Sequence, residues 1–176
     1  NGNTVAHENR PPYYALCYII KHTATASSGS SSGGSGFVLQ TEKTATGSSV
    51  EFTNIPADAY EITLMFNGVS LDGSDNILVE LGTSSGYITQ GYTASSQTEN
   101  GTSYVAVPNA FPIYSGSNYL HHGKFDINKF SDTSYTFEGQ TRTLDGSGIQ
   151  AYGSLSGVSG TITRLRIKPS GTDNFD

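Results

Sequence analysis

Ser, Thr and Gly fill 65 of the 176 positions, charged residues only 14%, and Trp is absent. An average soluble domain carries about 25% charged residues, so this surface must be built from hydroxyls and amides. Nine Lys and Arg against 15 Asp and Glu give a net charge of −6, which excludes a nucleic-acid partner, because phosphate binding needs clustered positive charge.

No apolar run approaches the roughly 20 residues of a membrane span, so no membrane insertion is expected. The single cysteine, Cys17, excludes an intrachain disulfide framework and a CxxC metal site. The chain opens at Asn1 with no signal-peptide pattern and reads as an excerpt of a longer polypeptide. Asn9-Arg10-Pro11-Pro12 bars helix and leads into Tyr-Tyr-Ala-Leu-Cys-Tyr-Ile-Ile at 13–20. That run is apolar on both alternating faces, which predicts a strand covered on both sides, its partners lying upstream or in another subunit. Ten consecutive Ser and Gly residues follow at 27–36; as a flexible coil they would span roughly 17 Å. The expected division is therefore 1–23 as the last strand of a larger domain, 24–36 as linker and 37–176 as the body.

In the body, period-2 alternation takes over. Val50 and Phe52, then Tyr60, Ile62, Leu64 and Phe66, then Ile77, Val79 and Leu81 each line one face. Tyr135 with Phe137, and Leu165 with Ile167, repeat the pattern. Turn signals stand at Thr46-Gly47, Asn67-Gly68, Asp72-Gly73, Asn100-Gly101 and Asp145-Gly146. No window carries a helical period. The prediction is an all-β fold, an antiparallel β-sandwich of jelly-roll type.

His7, Asn9, Pro12, Tyr13, Ala15, Leu16, Tyr18, Ile19 and Ile20 fall at the spacing that ends phage tail collar domains, and residues 7–20 resemble that family. Arg10-Pro11, Cys17 and Lys21-His22 depart from its pattern. Residues 37–176 look like the β-sandwich domains near the C-termini of phage tail proteins, through Ser-Val-Glu-Phe-Thr-Asn-Ile-Pro, Tyr-Glu-Ile-Thr-Leu-Met-Phe-Asn and the closing Gly-Thr-Asp-Asn-Phe-Asp. In those relatives a Gly and a further strand commonly follow that ending. The resemblance implies a tail-fibre or receptor-binding component of the virion, extracellular and homotrimeric. Its partners would be a host surface glycan or protein and other virion tail proteins. A structural virion decoration and a carbohydrate-binding module of a secreted protein are the alternatives.

The residues offer little catalytic chemistry. There is no G-x-S-x-G elbow, and the acids are scattered, so no catalytic residue, cofactor or enzymatic activity is expected. His121 alternates with Phe125 and Ile127 and points inward, whereas His122 points to water with Lys124 and Asp126. His121 is the one metal candidate, as three copies around a trimer axis. With no second ligand at zinc-like spacing, a hydrogen-bonded strand histidine is the preferred reading and no metal is expected. Asp72-Gly73-Ser74-Asp75-Asn76 has oxygen ligands but lacks the EF-hand spacing and distal Glu. Asn100-Gly101-Thr102 is a formal glycosylation sequon. Tyr87, Tyr92, Tyr104, Tyr114 and Tyr119, interleaved with Gln90, Gln97, Asn100 and Asn118, suit sugar or protein surfaces. If the linker enters at one end and strands run end to end, 43–49, 68–75 and the polar loop 93–102 lie at the far end, and 56–59 at the near one. Asp72, Asp75, Gln97, Glu99 and Asn100 are therefore the receptor-binding candidates.

Overall fold

The computed structural model describes residues 14–21, 36–101, 104–116, 119–144 and 146–176. Residues 1–13, which include 7–13 of the collar-like motif, His22, most of the Ser/Gly run, Thr102 of the sequon, Asn118 and Asp145 lie outside the described residues.

The first strands are β1 (Tyr14–Lys21), β2 (Gly36–Leu39), β3 (Lys43–Thr44), β4 (Val50–Thr53) and β5 (Glu61–Val69). They are followed by β6 (Ile77–Thr83), β7 (Gly86–Tyr87), β8 (Tyr92–Thr98), β9 (Tyr104–Val107) and β10 (Phe111–Ile113). The longer β11 (His121–Ser131), β12 (Ser134–Arg142) and β13 (Gly148–Ser156) precede the last strand, β14 (Arg164–Pro169). Among the described residues one sheet has nine strands, ordered β2-β1-β5-β11-β12-β13-β8-β9 with β3 beside β1, and the other has five, ordered β10-β6-β14-β4 with β7 beside β6. Every pairing is antiparallel. The chain is an all-β sandwich, as its alternation predicts.

The inward positions of both sheets form one core. Phe111 of the small sheet stacks on Phe137 of the large one, centroids 4.6 Å apart and planes 6° apart, and Phe137 stacks on Phe125 at 5.2 Å. Tyr92 meets Phe111 edge-on at 4.9 Å, and Phe66 meets Phe125 edge-on at 5.7 Å. The Tyr92 hydroxyl also reaches across the gap and accepts the Leu81 N–H at 3.0 Å. Burial keeps that phenol protonated well above its ordinary range. Gly139 sits between Phe125 and Ala151 in register; a Cβ there would run into the Lys124 carbonyl and the Phe125 ring.

Several expectations change. β1 takes its lateral partners from the body itself: it pairs with β5 from Tyr14↔Asn67 to Ile20↔Glu61, and with β2 and β3 on its other edge. Lys21 faces Gly36, so β1 and β2, on either side of the Ser/Gly run, are neighbours in one sheet. Asn67-Gly68 is no turn. His121 faces Val69 while His122 faces Asn67, so Gly68, at φ 73°, is the extra residue of a bulge, a conformation glycine adopts without a Cβ penalty. Tyr60 precedes β5, stays 44% exposed and carries Lys129 Nζ 5.7 Å from its ring centre. The expected loop 93–102 is mostly strand. β8 is rich in Ser and Thr, and hydrogen bonds hold it: Ser96 Oγ donates to the Gln150 carbonyl (2.9 Å) and accepts the Tyr114 N–H (2.8 Å).

Removing the ring that joins the two stacks should be costly. Phe137→Ala is expected to lower unfolding free energy by about 3–5 kcal/mol, read from urea denaturation. Phe130→Ala, at a ring 84% exposed, should stay within about 0.5 kcal/mol. Equal losses for the two would contradict this core.

Candidate functional site

The turns fall where the alternation of strands places them. Phe175 forms isolated bridges with both Gly47 and Leu71, tying turn 43–49 and loop 68–75 to one end through the C-terminal tail. Glu61, just after 56–59, pairs with Ile20 and Asn128 at the opposite end. The receptor-facing candidates do share an end, but most of their side chains are occupied there. The Asp75 carboxylate accepts the backbone N–H groups of Gly171 (2.9 Å) and Asp173 (3.0 Å), and Asp173 in turn accepts the Asp75 N–H at 2.7 Å. Asp72 accepts the Asn174 N–H at 2.8 Å. These two acids, expected to face a receptor, clamp the tail. The oxygen-rich loop 72–76 is thus a set of carboxylates whose lone pairs face backbone donors.

Glu99 pairs with Arg142 at 2.8 Å, and Arg142 also donates to the Gly146 carbonyl. Both partners are largely exposed, so the pair contributes at most about 1 kcal/mol. Asn100 Oδ1 accepts the Thr98 hydroxyl at 2.7 Å within the β8–β9 turn. Gln97 differs from the other four, because it lies in β8 opposite the exposed Gln150 and so on the outer face of the large sheet.

His121 is fully buried, its Nδ1 2.9 Å from Thr141 Oγ1 and its Nε2 3.1 Å from Ser115 Oγ. Phe66 and Tyr119 meet the ring edge-on. Burial, with a smaller push from His122, lowers its pKa to about 4. Both nitrogens have hydroxyl partners, and among the described residues no group of three His, Cys, Asp or Glu could hold a metal ion. His122 is exposed, as alternation predicts. The central tyrosines mostly turn away from solvent: Tyr92 is buried, Tyr114 and Tyr119 pack on the core, and Tyr87 lies under Arg166 at 4.0 Å.

The outer faces of the two sheets differ in kind. On the small sheet Glu80 is 1% exposed and held by Arg166 (2.5 Å) and Lys168 (3.1 Å). Tyr87 lies beside them, its hydroxyl raised to about 12 by burial first and then by Glu51. That face is closed by its own charges. On the large sheet two rows cross the strands in register: Gln97, Gln150, Gln140 and Lys124, then Ser95, Tyr152, Glu138 and Asp126; Ser95 is buried, and the rest of the face stays open. Between the rows lies a groove of about 450 Å³, walled by Lys124, Asp126, Glu138, Gln140, Gln150 and Tyr152 and floored by Gly139 and Ala151. Asp126 is fixed by two hydrogen bonds of 2.7 Å, from the Thr63 hydroxyl to Oδ1 and from Lys124 Nζ to Oδ2. That carboxylate raises the pKa of Lys124 and keeps it charged. Tyr152, 49% exposed, is the aromatic of the groove.

No family model, curated protein or solved structure matches the chain. The site therefore rests on its geometry. Sequence reasoning missed Tyr152, although the signal was present: Ile149, Ala151 and Leu155 alternate inward, which turns Gln150, Tyr152 and Ser154 outward. A second hollow of about 410 Å³ near Lys129, Asp132 and Tyr135 offers a surface ion pair of 2.8 Å, but its one lining aromatic, Tyr135, is buried.

The buried histidine sets a pH dependence. The folded chain keeps His121 neutral down to about pH 4, whereas an unfolded histidine takes its proton near 6.5. The stability this confers is complete above about 6.5 and falls as pH drops toward about 4, by roughly 3 kcal/mol in all. Urea midpoints at pH 7 and 5 should therefore differ in the native chain, and His121→Gln should flatten the difference. An unchanged slope in that variant would contradict the neutral, buried ring.

Proposed function

We propose that the chain is an adhesion module of a phage tail fibre, a non-catalytic β-sandwich that holds the virion to the host cell surface as part of a homotrimer. The observation that carries adhesion is the open outer face of the nine-stranded sheet, where amides, an ion pair and a half-exposed tyrosine surround one groove. The phage setting rests on the resemblance of residues 7–20 to tail collar domains. Asp126 and Glu138 are neighbours across β11 and β12, yet both Asp126 oxygens are engaged by Thr63 and Lys124. That suits a contact surface better than a proton-transfer pair. Three copies on one fibre would multiply weak contacts through effective concentration.

The purified fibre protein should bind the bacterium that the parent phage infects and compete with whole virions for adsorption. Light scattering should give three chains per particle. A protein that neither binds cells nor slows adsorption would contradict the adhesive role and favour virion decoration, and a monomer would contradict the trimer.

A further inference from the structure

We infer that the groove on the large sheet takes a neutral glycan, lying across the strands over Tyr152. This deepens the adhesive reading above and rests on it. Three features select the ligand. The first is the amide row: Gln97, Gln150 and Gln140 stand side by side on neighbouring strands, and strands are about 4.8 Å apart. Each amide offers both donor and acceptor, so the row presents an alternating hydrogen-bonding edge, the complement of successive sugar hydroxyls. With Lys124 on the next strand the row is roughly 14 Å long, room for a few pyranose units.

The second feature is the platform. Tyr152 stands two residues along β13 from Gln150 on the same exposed face, so a sugar ring bonded to the amides has an aromatic surface beside it. Tyrosine supplies that area at low entropic cost.

The third feature is charge. Lys124 and Asp126 neutralise each other at 2.7 Å, which leaves the exposed Glu138 carboxylate to set the sign of the groove, on a chain of net charge −6. An anionic glycan, with sialic acid, uronic acid or phosphate, meets repulsion and no cation uncommitted to a carboxylate in the groove. A neutral glycan meets donors and acceptors whose hydrogen bonds it can return.

The test is calorimetric titration of the fibre protein with neutral hexasaccharides (β-glucan, α-glucan, α-mannan and β-N-acetylglucosamine series) and with sialylated and uronic-acid oligosaccharides of equal length. At least one neutral hexasaccharide should bind, with no anionic one binding better. Tyr152→Ala should weaken that binding at least tenfold, and Gln150→Ala together with Gln140→Ala should do the same. Asp72→Asn, at the tail clamp, should leave it unchanged. Melting temperature confirms that Tyr152→Ala is folded. Preferred binding of an anionic glycan, no glycan binding at all, or undiminished binding by Tyr152→Ala would each overturn the inference. If the groove variants abolish attachment to cells while no glycan binds, the adhesive reading survives, a protein is the ligand and this inference falls. If they leave attachment intact, the groove itself is the wrong site.

Discussion

The sandwich hangs on one stack of rings. Phe111 comes from the five-stranded sheet and Phe137 and Phe125 from the nine-stranded one, all nearly parallel. Aromatic contacts of this kind contribute about 0.5–1.5 kcal/mol each beyond the area they bury, and these join the two layers at their centre. The stack also demands a missing side chain, since Gly139 lies where a Cβ would strike Phe125. Ring and glycine together fix how β11, β12 and β13 meet.

The same constraint sets the outer face. A strand's side chains alternate, so a one-residue slip would exchange core and surface. With Phe125 and Phe137 locked inward, Lys124, Asp126, Glu138 and Gln140 must point out, and pairing with β13 brings Gln150 and Tyr152 beside them. The groove is therefore a consequence of the core. Its residues stand on three long central strands, so its geometry does not depend on loop conformation. The small sheet lacks such an opening because Arg166 and Lys168 both pair with Glu80 over it. A buried network of that kind adds little net stability once desolvation is counted, but it closes that face.

Much of this could be read in the sequence. Strands with large apolar residues on alternate positions, such as Ile62-x-Leu64-x-Phe66 and Leu165-x-Ile167, were legible because burial selects one face. The opposite orientations of His121 and His122 followed from the same period, and so did the end at which each turn lies. β8 was not legible. Its inward positions include Ser96, which is held by hydrogen bonds to Gln150 and Tyr114, groups distant in sequence, and no local pattern announces those. The acids at 72 and 75 misled for a related reason. A polar loop looks the same whether its carboxylates face a receptor or cap a tail a hundred residues away. Tyr152 lay within reach of period-2 reasoning but was overshadowed by the denser tyrosines upstream, most of which serve the core.

We propose that recognition happens on the sheet face and away from the loop end. Nuclear magnetic resonance measures this directly, by following side-chain amide and aromatic signals while purified glycan from the host surface is added. The Gln140 and Gln150 amides and the Tyr152 ring should shift together and saturably, while the backbone amides of Gly171, Asp173 and Asn174 stay still. Shifts confined to that tail and the 68–75 loop, with the sheet face silent, would contradict it.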